Sequence, residues 1–186
     1  MSQAHYSVPS REALIAELTE KRERLKRWVA ARTSEELEQP ATPSEGEDGG
    51  MWRPKDHLAH AVAVETYLRE VAQRTLAGVK DPTEFYTQVA SMDRESVRQA
   101  IKKAMKEASE RALTEYREAP IEGILERLGE TRRATLDLLE SLSDEQLDQV
   151  APQSPFGHGT VREMFQEIAR HDEQHVDWLT EALSQE

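Results

Sequence analysis

The chain has 186 residues, 37% hydrophobic, 32% charged and 5% aromatic, with 36 acidic against 24 basic side chains and a formal net charge of −12. Its length predicts a single domain, and its negative field repels phosphate backbones and acidic lipid surfaces, which excludes nucleic acid and membrane as expected partners. With no cysteine there is no disulfide framework, no thiolate metal site and no cysteine nucleophile of the protein's own.

The opening "MSQAHYSVPSREAL" has no apolar core of the kind a signal peptide needs, so the expected location is cytoplasmic, with residues 1–9 a mobile tail ahead of one domain over 10–186. Behind Ser10 as N-cap, Leu14, Leu18, Leu25 and Val29, flanked by Ile15 and Trp28, recur at three-to-four spacing, which predicts a first helix over Ser10–Arg32. The basic clusters at Lys21 to Arg27 and at Lys102, Lys103 and Lys106 are interleaved with glutamates and read as solvated helix faces. From Thr33 to Met51, Pro, Gly, Ser and acidic residues accumulate, and the segment is expected to be a long surface loop.

Pro54 at a first helical position and Gly78 at a C-terminus frame a second helix, with Leu58, Ala61, Val64, Leu68, Val71 and Ala72 on its apolar stripe. Asp93 caps a third pattern running to Tyr116, with Val97, Ile101, Met105 and Ala108 in a row. Beyond Pro120, residues Ile121, Ile124, Leu125, Leu128, Leu138, Leu139 and Leu142 form another stripe. Ser143 with Gln146 makes a short capping box leading into a loop that ends in "SPFGHG", and Thr160 with Glu163 opens the last helix with a second box. No segment alternates as a strand does. The expected fold is all-α: a four-helix bundle with long connections and an additional helix between the second and last-but-one bundle helices.

The last helix carries "HDEQH". At 100° per residue His171 and His175 fall within the stripe of Val161, Met164, Ile168, Leu179 and Ala182, so both rings point at the core. Their i, i+4 spacing sets them about 6 Å apart, a separation that suits two ligands of one divalent ion. Zinc and its neighbours want at least a third protein ligand. His5 lies in the tail and His158 between glycines, whereas His57 and His60 both lie on the second helix, His57 nearer the centre of its stripe. Periodicity leaves the choice between these two open.

Two motif readings fail. A zincin needs glutamate directly after the first histidine and a third ligand downstream; here Asp172 stands there and the eleven residues after His175 contain no histidine. A di-iron bundle needs paired Glu-x-x-His motifs, and "DEQH" offers only Asp172 at that spacing.

"WRPKDHLAHAVAVE", with histidine eight positions after Trp52, followed by a long mixed segment and "GTVREMFQEIARHDEQHVDWL", resembles the DinB-like (DinB/YfiT) family of metalloenzymes from Ser10 onward. The resemblance implies a four-helix bundle with a divalent metal, nickel or zinc, on three histidines, which here are His60, His171 and His175. It also implies a homodimer acting on a small-molecule substrate. Characterised relatives include transferases and isomerases that use low-molecular-weight thiols such as bacillithiol or mycothiol. Three neutral imidazoles leave the ion's charge uncompensated, so a bound water or thiol would be deprotonated near neutral pH, a nucleophile that a cysteine-free chain lacks. Glu65 and Glu167 near these histidines read as rim carboxylates. Two functions follow as expectations: a metal-dependent transferase activating a thiol or water against a small electrophile, or a non-catalytic metal-binding bundle with a structural, sensing or stress-response role.

Overall fold

A computed structural model describes residues 8–43, 50–151 and 159–183; His5, the "SPFGH" stretch with His158, and most of the expected tail lie outside them. Helix α1 (Arg11–Ala30) starts at Ser10, whose hydroxyl accepts from the Ala13 amide at 3.2 Å. The described parts of the expected loop after it hold regular structure. Thr33 and Glu36 close a capping box over α2 (Ser34–Glu38), and β1 (Thr42–Pro43) pairs antiparallel with β2 (Met51–Trp52), in the register Thr42 opposite Trp52. No alternation marks strands of two residues, and the pairing is set by what Trp52 packs against.

Arg53 precedes α3 (Pro54–Leu76), with Pro54 in its first turn, and Gly78 beyond its end takes φ +73°, a left-handed conformation that glycine adopts without strain. After α4 (Tyr86–Val89), the Asp93 carboxylate accepts from the Glu95 and Ser96 amides and opens α5 (Arg94–Tyr116). Helix α6 (Ile121–Ser141) begins behind Pro120. The two expected boxes are present: Ser143 with Gln146 at α7 (Asp144–Leu147), and Thr160 with Glu163 at α8 (Val161–Leu183), each reaching the other's backbone amide.

Helices α1, α6, α3 and α8 pack in that cyclic order, each against the next, and α5 lies outside against α3. This is a four-helix bundle with an additional helix, as the stripes predict. The α1 stripe is buried at Leu14, Leu18, Leu25 and Val29, and the α8 stripe at Val161, Met164, Ile168 and Leu179. On α5 the expected row is displaced: Ala108 is exposed, whereas Ser109 and Leu113 are buried, because that helix meets α3 on one narrow side only; the side chains of Ile101 and Met105 lie outside the described ones. Among the described residues no helix is long and apolar enough to cross a membrane.

The core is divided. One apolar cluster gathers Leu14, Leu18, Leu68, Leu139, Phe165 and Ile168, another Leu25, Leu58, Leu128, Val176 and Leu179. Between them, one charged residue enters from each bundle helix: Arg22 from α1, Glu65 from α3, Arg132 from α6 and Asp172 from α8, none more than 5% exposed. Arg22 binds Asp172 at 2.8 and 3.0 Å and Glu65 at 2.5 Å, while Arg132 binds Glu65 at 2.8 Å and Asp172 at 2.9 Å. Both guanidinium groups also donate to a helix carbonyl, Leu128 and Leu18 respectively. Two cations and two anions cancel, and each charge has at least two partners, which is what makes four ionised groups tolerable in a low-dielectric interior. Burial alone would lower the pKa of Arg22, but the Asp172 and Glu65 carboxylates outweigh it and hold it above its ordinary value.

Candidate metal centre

The entry to α3 fixes the first half of the site. Arg53 and Asp56 clasp each other across the helix start, with the Arg53 amide donating to the Asp56 carboxylate at 2.8 Å and its guanidinium at 2.9 Å. His57 follows directly, and His60 one turn later lies on the same side. Trp52, 3% exposed at the end of β2, packs its ring 5.1 Å from both imidazoles. The short strand pair thus acts as a brace that carries an indole under the two histidines. Helix α8 supplies the other half, His171 and His175 one turn apart, facing α3.

The histidines nominated by the sequence are brought together. His171 Nε2 lies 3.2 Å from His60 Nε2 and 3.1 Å from His175 Nε2, and the three nitrogens form a group within 4.8 Å of one another. Two nitrogens each about 2.0–2.1 Å from a shared zinc-sized ion stand about 3.3–3.4 Å apart at the tetrahedral angle. The observed spacings of 3.2 and 3.1 Å are slightly shorter, as an angle of about 100° would give. His57 takes another place: its Nδ1 lies 2.7 Å from Nδ1 of His175, on the side of that ring facing away from the cluster, and its Nε2 lies 2.7 Å from Thr42 Oγ1. The question the helical wheel leaves open has a physical answer, since both α3 histidines point inward and meet opposite nitrogens of the α8 pair.

The electrostatics suit a cation. Burial lowers the pKa of His60 to about 3, helped by the facing His171. His57 is lowered to about 4 by burial and then by His60. For His171, also about 4, burial is followed by the Arg22 guanidinium. His175 is pushed well below its ordinary value by burial and by its three neighbouring rings. With their pKa values below neutrality, each ring carries a single N–H at pH 7 and keeps a lone pair on its other nitrogen. The donor set of three uncharged, converging imidazoles fits a borderline-soft divalent ion, and three protein ligands leave a fourth position open. One feature departs from the usual metal histidine, whose second nitrogen donates to a carboxylate or carbonyl: the buried Nδ1 of His60 has no hydrogen-bond partner among the described residues, and neither has Nε1 of Trp52.

The carboxylates stand apart from this cluster. Glu65, read from the sequence as a rim residue, is 1% exposed and tied to Arg22 and Arg132, so it belongs to the buried charge layer. Glu167 does sit at the rim, paired with Arg170. Arg22, read as part of a solvated basic face, is likewise interior. A signal for these residues exists: Arg22 fills the gap between Leu18 and Leu25 in the first stripe, and Arg132 the gap between Leu128 and Leu139 in its own. A cavity of about 470 Å³, lined by Thr42, Pro43, Trp52, His57, Trp178 and Glu181 among others, lies behind His57, so a molecule in it would meet that ring before the three Nε2 atoms.

A four-helix bundle that gathers three histidines within 4.8 Å of one another between its second and last helices defines a helical protein with a side-chain group that could hold a metal ion. The chain belongs to the DinB superfamily, whose family model matches residues 45–179. Among solved structures it is similar to YfiT from Bacillus subtilis, with a TM-score of 0.60 and 18% identity over 100% of this chain and 92% of that one. That protein is described as a probable metal-dependent hydrolase with an unusual four-helix bundle topology; at such identity the likeness establishes the fold. No curated protein matches the chain by sequence.

Proposed function

We propose that His60, His171 and His175 bind one divalent metal ion, nickel or zinc, and that the centre is catalytic, activating a low-molecular-weight thiol or water against a small electrophile. The observation that carries this reading is the convergence of three neutral Nε2 atoms at 3.1 and 3.2 Å. A closed structural site takes four protein ligands, whereas a catalytic one keeps a position for an exchangeable ligand. Description of the similar YfiT as a probable metal-dependent hydrolase supports the water version, and the absence of cysteine from this chain gives an external thiol a chemical purpose.

An ion held there supplies Lewis acidity that lowers the pKa of a water or thiol placed on it. The chain's own contribution is position and protonation. Burial and the nearby Arg22 keep His171 unprotonated, Trp52 packs against His57 and His60, and the partial exposure of His171 beside fully buried His175 leaves access from one direction. The formal charge of −12 favours small neutral or cationic substrates over polyanions.

The test is metal analysis of protein purified without an affinity tag, followed by turnover of monochlorobimane with bacillithiol, mycothiol or glutathione, and of activated esters and amides with water, across zinc, nickel, cobalt and manganese. The expected result is stoichiometric metal and turnover that His60→Ala removes. Metal without turnover above that variant would refute catalysis, and no metal uptake at all would refute the site.

A further inference from the structure

We propose that His57 and Thr42 form a two-link hydrogen-bond relay that fixes the tautomer and ring orientation of His175, making His57 a positioning residue for the metal centre and not one of its ligands. The inference rests on the three-histidine reading above and goes beyond it, because it assigns a role to the fourth histidine of the group and to Thr42, which the metal site does not use.

The protons leave one arrangement. A ring that binds a cation through Nε2 must carry its hydrogen on Nδ1. For His175 the partner of Nδ1, among the described residues, is the Nδ1 of His57 at 2.7 Å. That nitrogen therefore accepts, and the single proton of neutral His57 sits on Nε2. Nε2 of His57 lies 2.7 Å from Thr42 Oγ1, a hydroxyl that accepts from it and remains free to donate elsewhere. The chain reads His175 Nδ1–H to His57, then His57 Nε2–H to Thr42, with every proton placed.

Each link is held by packing. The His57 ring stands edge-on to His175 with centroids 5.0 Å apart and edge-on to Trp52 at 5.1 Å, so it cannot turn without displacing the indole. His57 itself is 2% exposed. Thr42 is presented by β1, whose partner in the register is Trp52, and the amide of Ala41 donates to the Trp52 carbonyl at 2.8 Å. The strand pair therefore sets hydroxyl and indole together on either side of one imidazole. Metal-binding histidines ordinarily present their second nitrogen to a carboxylate or carbonyl; here a neutral imidazole backed by a hydroxyl takes that place, an uncharged acceptor that leaves His175 less electron-rich than a carboxylate partner would.

The decisive measurement is a long-range proton–nitrogen correlation spectrum of the full chain, labelled with nitrogen-15 and loaded with zinc. It should report His175 metallated at Nε2 and protonated at Nδ1, and His57 unmetallated and protonated at Nε2. Beside it, zinc affinity is measured by chelator competition for four variants. His57→Phe keeps a ring but no acceptor and should weaken binding about 10- to 100-fold. His57→Asn, whose Oδ1 falls roughly where Nδ1 was, should recover much of that loss. Thr42→Val should cost a few-fold, and His60→Ala should abolish tight binding. The d–d spectrum of the cobalt protein should shift in His57→Phe while the melting temperature of the metal-free variant stays near that of the parent.

A metallated His57, or a His57→Phe variant with parental affinity and an unchanged cobalt spectrum, would overturn the relay while leaving the metal site standing. Failure of the parent and of His60→Ala alike to bind zinc would overturn both. Loss of affinity in His57→Phe with no recovery in His57→Asn would show that ring packing rather than the acceptor matters, and would also overturn the relay.

Discussion

Replacing Arg22 with methionine tests the buried charge layer. Methionine refills most of the volume and adapts its shape, so a cavity contributes little. What is lost is charge: Arg22 makes bonds to Asp172 at 2.8 and 3.0 Å, to Glu65 at 2.5 Å and to the Leu128 carbonyl at 3.0 Å. With Arg132 left alone, two carboxylates at 1% exposure share one cation, and an uncompensated negative charge stays in the core. Breaking a buried pair in this way costs about 3–5 kcal/mol, a large share of the about 5–15 kcal/mol that holds a typical domain folded. Urea unfolding followed by circular dichroism, with chelator present to remove any metal contribution, should show that loss as a lower midpoint at unchanged slope. Replacing all four residues with apolar side chains of similar size should instead be near neutral or stabilising, since the desolvation penalty disappears with the charges. The reasoning fails if Arg22→Met stays within about 1 kcal/mol of the parent, or if the fourfold variant is less stable than the single one.

Protonation of the histidines should make the metal-free protein acid-sensitive. His57, His60 and His171 have folded-state pKa values of about 4, 3 and 4 against an ordinary 6.5, so the unfolded chain takes up protons first. Stability is therefore complete above pH 6.5 and declines as pH falls from 6.5 to about 4 for His57 and His171 and to about 3 for His60, by up to about 1.4 kcal/mol per pH unit for each titrating ring; unfolding curves at pH 7.5, 6 and 5 that coincide would contradict it. Zinc at a hundredfold excess over its Kd should add about 2.7 kcal/mol and raise Tm by about 5–11 °C, reversibly with chelator and not in His171→Ala, as read by calorimetry. Thr160→Ala removes the hydroxyl that accepts from the Glu163 amide at 3.2 Å and should lower stability by about 1 kcal/mol in the same urea assay, leaving metal affinity unchanged.

Much of the fold is legible one helix at a time. The stripes of α1, α3, α6 and α8 bury most of the leucines, isoleucines and valines that their periods nominate, with Ile15, Val64, Ile121, Leu125 and Leu138 half-buried at their edges, and Ser10, Asp93, Ser143 and Thr160 cap where their types and spacing say they should. These features are local: a 3.6-residue period and the unsatisfied amides of a helix start act within one segment, and the sequence states them directly. The inward facing of His171 and His175 is legible for the same reason.

The partners across the bundle are another matter. Periodicity places Arg22 on an apolar stripe but cannot tell whether opposite charges wait for it on α3 and α8. It places His57 and His60 both inward without saying which nitrogen of which ring each will meet. Strands of two residues carry no alternation, so the brace of Thr42 and Trp52 is invisible until α3 and α8 dock against it. By itself the sequence determined the four bundle helices, most of their buried faces and the inward-facing histidines on α3 and α8. Only the tertiary structure decided which charges neutralise one another, and that His60 joins the cluster while His57 stands behind His175, because those outcomes depend on distances of about 3 Å between side chains more than forty residues apart, set by how the helices rotate against each other.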